Sequence, residues 1–280
     1  MPVQFASTDL TEKTMRLIFV AVFGLLYAIA GGVTVTASAR EKKPAAATQA
    51  PMPGIDAQAL TILKSMSETL AEAKSLSFSV RRAFDEPARN NQPIFYMVGS
   101  DVTLTRPDKL KIVTSGDGPP SEVFYDGREL TVFMPRDNLA AVMTAPNNIE
   151  DMLEAAFAKA GFYLPFVDFI VADPYKAITE NLVSAFVVGK SNQVGSTTTD
   201  IVAIANPDFQ AQIWIGTDDK LPRLVWINPV STNDKPRSMI EFSNWKLDQA
   251  PPATAFTSDA AKKAGRMEFA SPSGPIEKKK

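Results

Sequence analysis

Apolar residues recur at three- and four-residue steps through Ile55, Ala59, Leu60, Leu63, Met66, Leu70 and Ala73, the spacing that lines one face of an amphipathic helix between Asp56 and Ser75. From Leu76 the period shortens. Short β-type runs follow at 76–84, 95–105, 109–114, 122–125, 129–135 and 139–144, separated by the turn signals Arg106-Pro107-Asp108, Gly116-Asp117-Gly118 and Asp126-Gly127. This predicts an antiparallel meander. Asn147 or Asn148 can cap a helix from about 149 to 159 and Gly161 can end it, while Asp173-Pro174 opens a shorter helical turn through Glu180. Five further strands are expected at 183–189, 198–205, 210–215, 221–227 and 239–247. Strands and helices do not alternate, so the pattern predicts an α+β fold: one curved antiparallel sheet with its helices gathered on the concave face.

Several late strands are apolar on both faces: Val187-Val188, Ile201-Val202 with Ile204, Ile213-Trp214-Ile215 and Leu224-Val225-Trp226-Ile227. An antiparallel sheet with one wet face should alternate instead. Helices covering one face and ordinary packing on part of the other would account for this. So would a sheet curved around an apolar cavity, with segment 149–171 as its lid, and periodicity does not choose between the two. The lid segment carries an apolar run, Phe162-Tyr163-Leu164-Pro165-Phe166-Val167-Asp168-Phe169-Ile170-Val171, interrupted by Pro165. On the cavity reading, Met152, Phe157, Phe162, Leu164, Phe166, Phe169 and Ile170 are the candidate ligand-binding residues, joined by Trp214 and Trp226 from the strands. The tryptophans, Trp245 included, serve equally well as core packing.

The N-terminus adds an address. Lys13 and Arg16 precede an apolar run from Leu17 to Ala30, and Ala37-Ser38-Ala39 supplies the small-x-small pattern that signal peptidase accepts. At about fourteen residues the run is shorter than the roughly 20 that span a bilayer. The expectation is export to the periplasm with cleavage after Ala39, although Met15 would make a more usual start than Met1. A Pro/Ala-rich linker over 40–54, one domain over 55–270 and a disordered tail over 271–280 complete the expected organisation.

Chemistry is narrowed by what the chain lacks. Its 280 residues include no histidine, which removes Ser-His and Cys-His nucleophiles and the usual zinc, copper and haem sites. They include no cysteine either, so there is no lipid-bearing thiol and no disulfide. With a formal net charge of −2 and no basic cluster larger than Arg81-Arg82 inside the predicted fold, nucleic acid is not an expected partner. Asp218-Asp219 reads as turn chemistry rather than a catalytic pair. Asp101 and Asp168 lie in apolar neighbourhoods, where a buried carboxylate needs a partner such as Arg81, Arg82 or Arg106. No enzyme activity, cofactor or metal is expected from these residues.

Two consecutive strand pairs carry a family resemblance: Leu104-Thr105-Arg106-Pro107-Asp108-Lys109-Leu110, then Asp126-Gly127-Arg128-Glu129-Leu130 closing at Phe133-Met134-Pro135. They resemble the LolA-like periplasmic lipoprotein carriers. Later pieces resemble one branch, the predicted periplasmic proteins of domain-of-unknown-function family 2092: Leu164-Pro165, Asp173-Pro174-Tyr175, Val194-Gly195, Gln212-Ile213-Trp214-Ile215, Leu221-Pro222-Arg223 and Phe242-Ser243-Asn244-Trp245. The resemblance runs from about Ile55 to Phe269. It implies an incomplete β-barrel plugged by helices, with an apolar cavity that takes lipid or lipoprotein acyl chains, and it places Arg106 where the family's arginine holds the lid closed. It further implies a monomer that meets lipidated protein and an outer- or inner-membrane acceptor, or else an envelope sensor using the same fold. A longer loop over 116–121 and the chain's own lid sequence depart from the family pattern.

Overall fold

The computed structural model describes residues 54–90, 92–230, 237–249 and 251–269; the predicted export segment, the linker up to 53 and the tail lie outside them. The first helix, α1 (Ala57–Glu72), starts where Asp56 accepts a hydrogen bond from the Gln58 amide at 2.8 Å. Its stripe of Ala59, Leu63, Met66 and Leu70 is fully buried. Ile55 is not part of it: the Asp56 cap leaves Ile55 outside the helix, bridged to Ala185 and 51% exposed.

Next comes a meander of β1 (Ser75–Pro87), β2 (Pro93–Thr105), β3 (Lys109–Gly116), β4 (Ser121–Tyr125), β5 (Glu129–Met134) and β6 (Leu139–Thr144). Helix α2 (Ile149–Ala160) begins at Asn148, whose side chain accepts from the Asp151 amide, and stops at Gly161 with φ of 63°. After a 3-10 turn over Val167–Phe169, α3 (Pro174–Thr179) is capped by Asp173. The second meander is β7 (Ser184–Ser191), β8 (Thr199–Ala205), β9 (Phe209–Gly216), β10 (Pro222–Pro229) and β11 (Ser238–Leu247), and the chain then adds α4 (Asp259–Lys263) and β12 (Gly265–Arg266).

Among the described residues these strands form one twelve-stranded open sheet in the order β12-β6-β5-β4-β3-β2-β1-β11-β10-β9-β8-β7. It is curved and does not close into a barrel. Every pairing is antiparallel except the short β12–β6 contact. The two meanders join through β1 and β11, the first and last long strands.

Alternation decides what each face buries. Val202, Ile213 and Val225 share one rung and face the core with α1, which packs on β7, β8 and α3. Ile201, Trp214 and Leu224 share the adjacent rung and face the other way. One short helix outside the expected set, α4, lies on the other face. Ala261 and Ala264 pack with Phe133 and Ala140 in a second small cluster. Phe133 points opposite to the core residues Leu130 and Val132, so the C-terminal segment straps the outer face of β5 and β6.

Candidate functional site

Two of the segments that carried the resemblance, around Arg106–Lys109 and Asp126–Glu129, meet in space at the neck of the 149–172 insert. Lys109 Nζ donates to the Asp126 carbonyl at 2.6 Å and pairs with Asp108 at 3.0 Å, while Asp126 accepts from the Arg128 and Glu129 amides, each at 3.0 Å. Gly127 takes φ of 88°, and a Cβ there would collide with the Asp108 carboxylate. The β2–β3 and β4–β5 turns are thus fastened together.

Arg106, at the end of β2, bridges three segments. Its Nη1 donates to the Ile170 carbonyl at 2.8 Å and its Nη2 to the Leu70 carbonyl at 3.3 Å. Leu70 lies in the last turn of α1, where carbonyls have no intrahelical donor and a cation is favoured by the helix dipole. Burial lowers the Arg106 pKa, opposed by the nearby Glu150 carboxylate, and its Nε is buried without a partner. The following Pro107 carbonyl accepts from the Ile149 amide at 2.9 Å, and the Glu150 carboxylate accepts from the Ala172 amide. Both ends of the insert are pinned beside the β2–β3 turn.

Between those ends the insert lies on the concave face. Phe166 meets Phe78 edge-on at 5.9 Å, and Phe169 lies 5.1 Å from Phe242. Trp245 stacks on Phe78 at 4.3 Å and donates from Nε1 to the Pro222 carbonyl at 3.0 Å. Leu164, Phe166, Phe169, Ile170 and Met152 are buried in this core, and Phe162 is partly buried against it.

A pocket of about 210 Å³ remains where the run from Phe162 to Phe166 roofs the first meander. Register makes its floor a set of rungs. Val102, Ile112 and Val123 form an apolar rung, and the next one, about 7 Å along at two residues per step, is Val80, Ser100, Thr114 and Ser121. Ser100 and Thr114 hydroxyls are hydrogen-bonded at 2.9 Å. Arg82 stands one rung further out on β1, its guanidinium carbon 4.0 Å from the centre of the Phe84 ring. Burial lowers the Arg82 pKa, while Tyr163 and then Glu86 act the other way. Tyr163 is 39% exposed as a residue, but burial of its phenol, helped by Asp168 and opposed by Arg82, raises its pKa well above the usual value. The Asp168 carboxyl is pushed up to about 7, first by burial and then by Glu180.

Of the expected lining residues, Phe162, Leu164 and Phe166 touch this pocket. Met152, Phe169 and Ile170 pack into the neighbouring core instead. Phe157 points outward and is 36% exposed. Trp214 and Trp226 are corrected outright: their neighbours Ile213 and Val225 face the core, so alternation turns both indoles to the outer face, where Trp226 is 38% exposed. Asp101 is exposed and accepts from the Ser79 hydroxyl at 2.7 Å, and Arg81 pairs with Glu241 at 2.9 Å rather than with either aspartate. Asp219 pairs with Arg223 and accepts from the Leu221 amide, a turn role as expected. The place of Arg82 in the pocket went unread, yet one signal was available. It shares the alternation of Phe78, Val80 and Phe84, a charge in an inward register.

The family described as "Predicted periplasmic protein (DUF2092)" matches residues 59–270. No curated protein matches the chain. Similar solved structures include LprF from Mycobacterium bovis, with 13% identity and a TM-score of 0.44 over 71% of this chain and 97% of that one. A LolA superfamily protein from Nitrosomonas europaea shows 14% identity and a TM-score of 0.32 over 72% and 98%. MucB from Pseudomonas aeruginosa, solved in complex with MucA, shows 14% identity and a TM-score of 0.40 over 73% of this chain. The chain spans 62% of MucB, less than two thirds of its length.

Proposed function

The chain belongs to the DUF2092 family of predicted periplasmic proteins, and from that premise we propose that it is a non-enzymatic binder or carrier of an apolar ligand, a lipid or the acyl chains of a lipidated protein. Export by a signal peptide cleaved after Ala39 belongs to the same reading. One observation carries it: an apolar insert, tied at its neck by hydrogen bonds, roofs a pocket on the concave face of an open sheet.

The pocket's size bears on how a ligand is taken up. At ~30 Å³ per water-sized group, about 210 Å³ holds roughly seven such groups. A full acyl chain therefore needs the insert to lift and surrender part of the space held by Phe166 and its neighbours. Burying a methylene is worth about 0.8 kcal/mol, while exposing a large apolar side chain costs about 1.5–3 kcal/mol. Ligand burial and lid burial thus offset each other, which suits reversible loading. Native mass spectrometry of protein purified from its own periplasm tests the reading. Bound lipid, or lipid acquired from vesicles by the stripped protein, supports it. A protein that carries none and acquires none is not a carrier.

A further inference from the structure

We propose that the pocket under the Phe162–Phe166 roof is a head-group subsite, built to hold the anionic end of a single-chain amphiphile against the Arg82 guanidinium. This rests on the lipid-binding reading above and names the ligand's chemical class.

The floor changes character over three rungs. Deepest is the apolar rung of Ile112 and Val123, next the rung where the hydroxyls of Ser100, Thr114 and Ser121 stand beside Val80, and then Arg82 beside Val98 on the side away from the core. A purely apolar ligand has no use for the hydroxyls and the guanidinium of the second and third. An acyl chain that lies toward Phe166 and ends at the hydroxyl rung puts a carboxylate or phosphate where hydroxyls and a guanidinium can donate together. Arg82 is prepared for that role. Its position is set by stacking on Phe84, its Nε is buried without a hydrogen-bond partner, and among the described residues no carboxylate is in ion-pair contact with it. An unpaired buried donor beside a pocket is costly unless something fills it. The neighbouring titratable groups are Tyr163 on the roof and Glu86 further along β1, with Asp168, in the 3-10 turn that follows the roof, acting on Tyr163. Asp168 is largely protonated below neutral pH and so opposes an anion least there.

The experiment is calorimetric titration of the exported protein, purified from the periplasm, with dodecanol, dodecanoate and dodecyl phosphate, the alcohol below its solubility limit and the two anions below their micelle concentrations. These share one tail and differ in the head, and the two anions separate a fatty-acid source from a phospholipid one. Wild type should bind at least one anion about tenfold or more tighter than dodecanol, the effect of a charge-assisted hydrogen bond. Arg82→Gln should bring that ratio close to one while dodecanol binding persists, and Arg82→Lys should keep a ratio between the two. Binding of all three with equal affinity overturns the subsite and leaves the carrier reading intact. Binding of none overturns the carrier reading itself. A preference that survives Arg82→Gln also overturns the subsite, and if that variant does not fold, the wild-type and Arg82→Lys ratios decide.

Discussion

Replacing Arg106 with leucine tests whether the insert is latched. The substitution removes the donors to the Ile170 and Leu70 carbonyls, at 2.8 and 3.3 Å, and leaves both acceptors facing an apolar side chain. A buried acceptor without a partner costs about 1–3 kcal/mol. Removing a desolvated charge whose Nε already lacks a partner returns part of that. The net bias toward the open insert is therefore about 1–3 kcal/mol in all, a roughly 5- to 150-fold rise in open population. Hydrogen-exchange mass spectrometry reads it directly: amides over 162–172 should exchange faster by that factor, and those of the paired strands β1 and β11 should not. Two results would refute the reasoning. Insert amides could exchange at the wild-type rate, or strand amides could lose protection equally, which would make Arg106 a general stabiliser rather than a latch.

Two further outcomes follow from buried polar groups. Tyr125 is fully buried, its hydroxyl donates to the Pro146 carbonyl and, at 3.2 Å, to that of Asn148, and burial pushes its pKa up to about 12. Tyr125→Phe leaves the Pro146 carbonyl without its donor, while the Asn148 carbonyl keeps the Met152 amide at 3.1 Å, and should lower the unfolding free energy by about 1–3 kcal/mol, read as a lower urea midpoint with an unchanged slope; an unshifted midpoint would show that the bond contributes nothing. Asp168, with its folded pKa raised to about 7, binds its proton more tightly folded than unfolded, so its contribution to stability is fully present below about pH 4 and is lost as pH rises through 7. At about 1.4 kcal/mol per unit the loss is at most about 4 kcal/mol, and Asp168→Asn should flatten that part of the pH–stability curve, whereas an identical curve in wild type and variant would sink the assignment.

Much of the architecture is legible because its signals are local. The α1 stripe, the Asn148 and Gly161 ends of α2 and the start of nearly every strand follow from side-chain period and cap chemistry. The order of the strands is not local: nothing in the period says that β1 pairs with β11, some 160 residues away. The outward strap of α4 and β12 is not legible in the sequence because five- and two-residue elements hold too few positions to show a period. At the pocket, Phe162, Leu164 and Phe166 stand out in the sequence as an apolar run broken by Pro165, a pattern that fits a segment packed against the sheet. Trp214 and Trp226 were misplaced because strands apolar on both faces hide which parity faces inward, and only the register with Ile213 and Val225 resolves it.

The pairing of β1 with β11 has a consequence for how the domain is held together. The chain passes from the first meander to the second only once, through the segment that covers the concave face. The meanders do not depend on that passage, because eight residue pairs from Leu76↔Leu247 to Phe84↔Ser238 join them elsewhere. A single cut by a protease between 162 and 171 would therefore leave two fragments sharing one hydrogen-bond ladder, irregular only between Ser77 and Ser79, and migrating as one particle. The covering segment is a tether under little topological demand, free to change its conformation without a strand changing its neighbour.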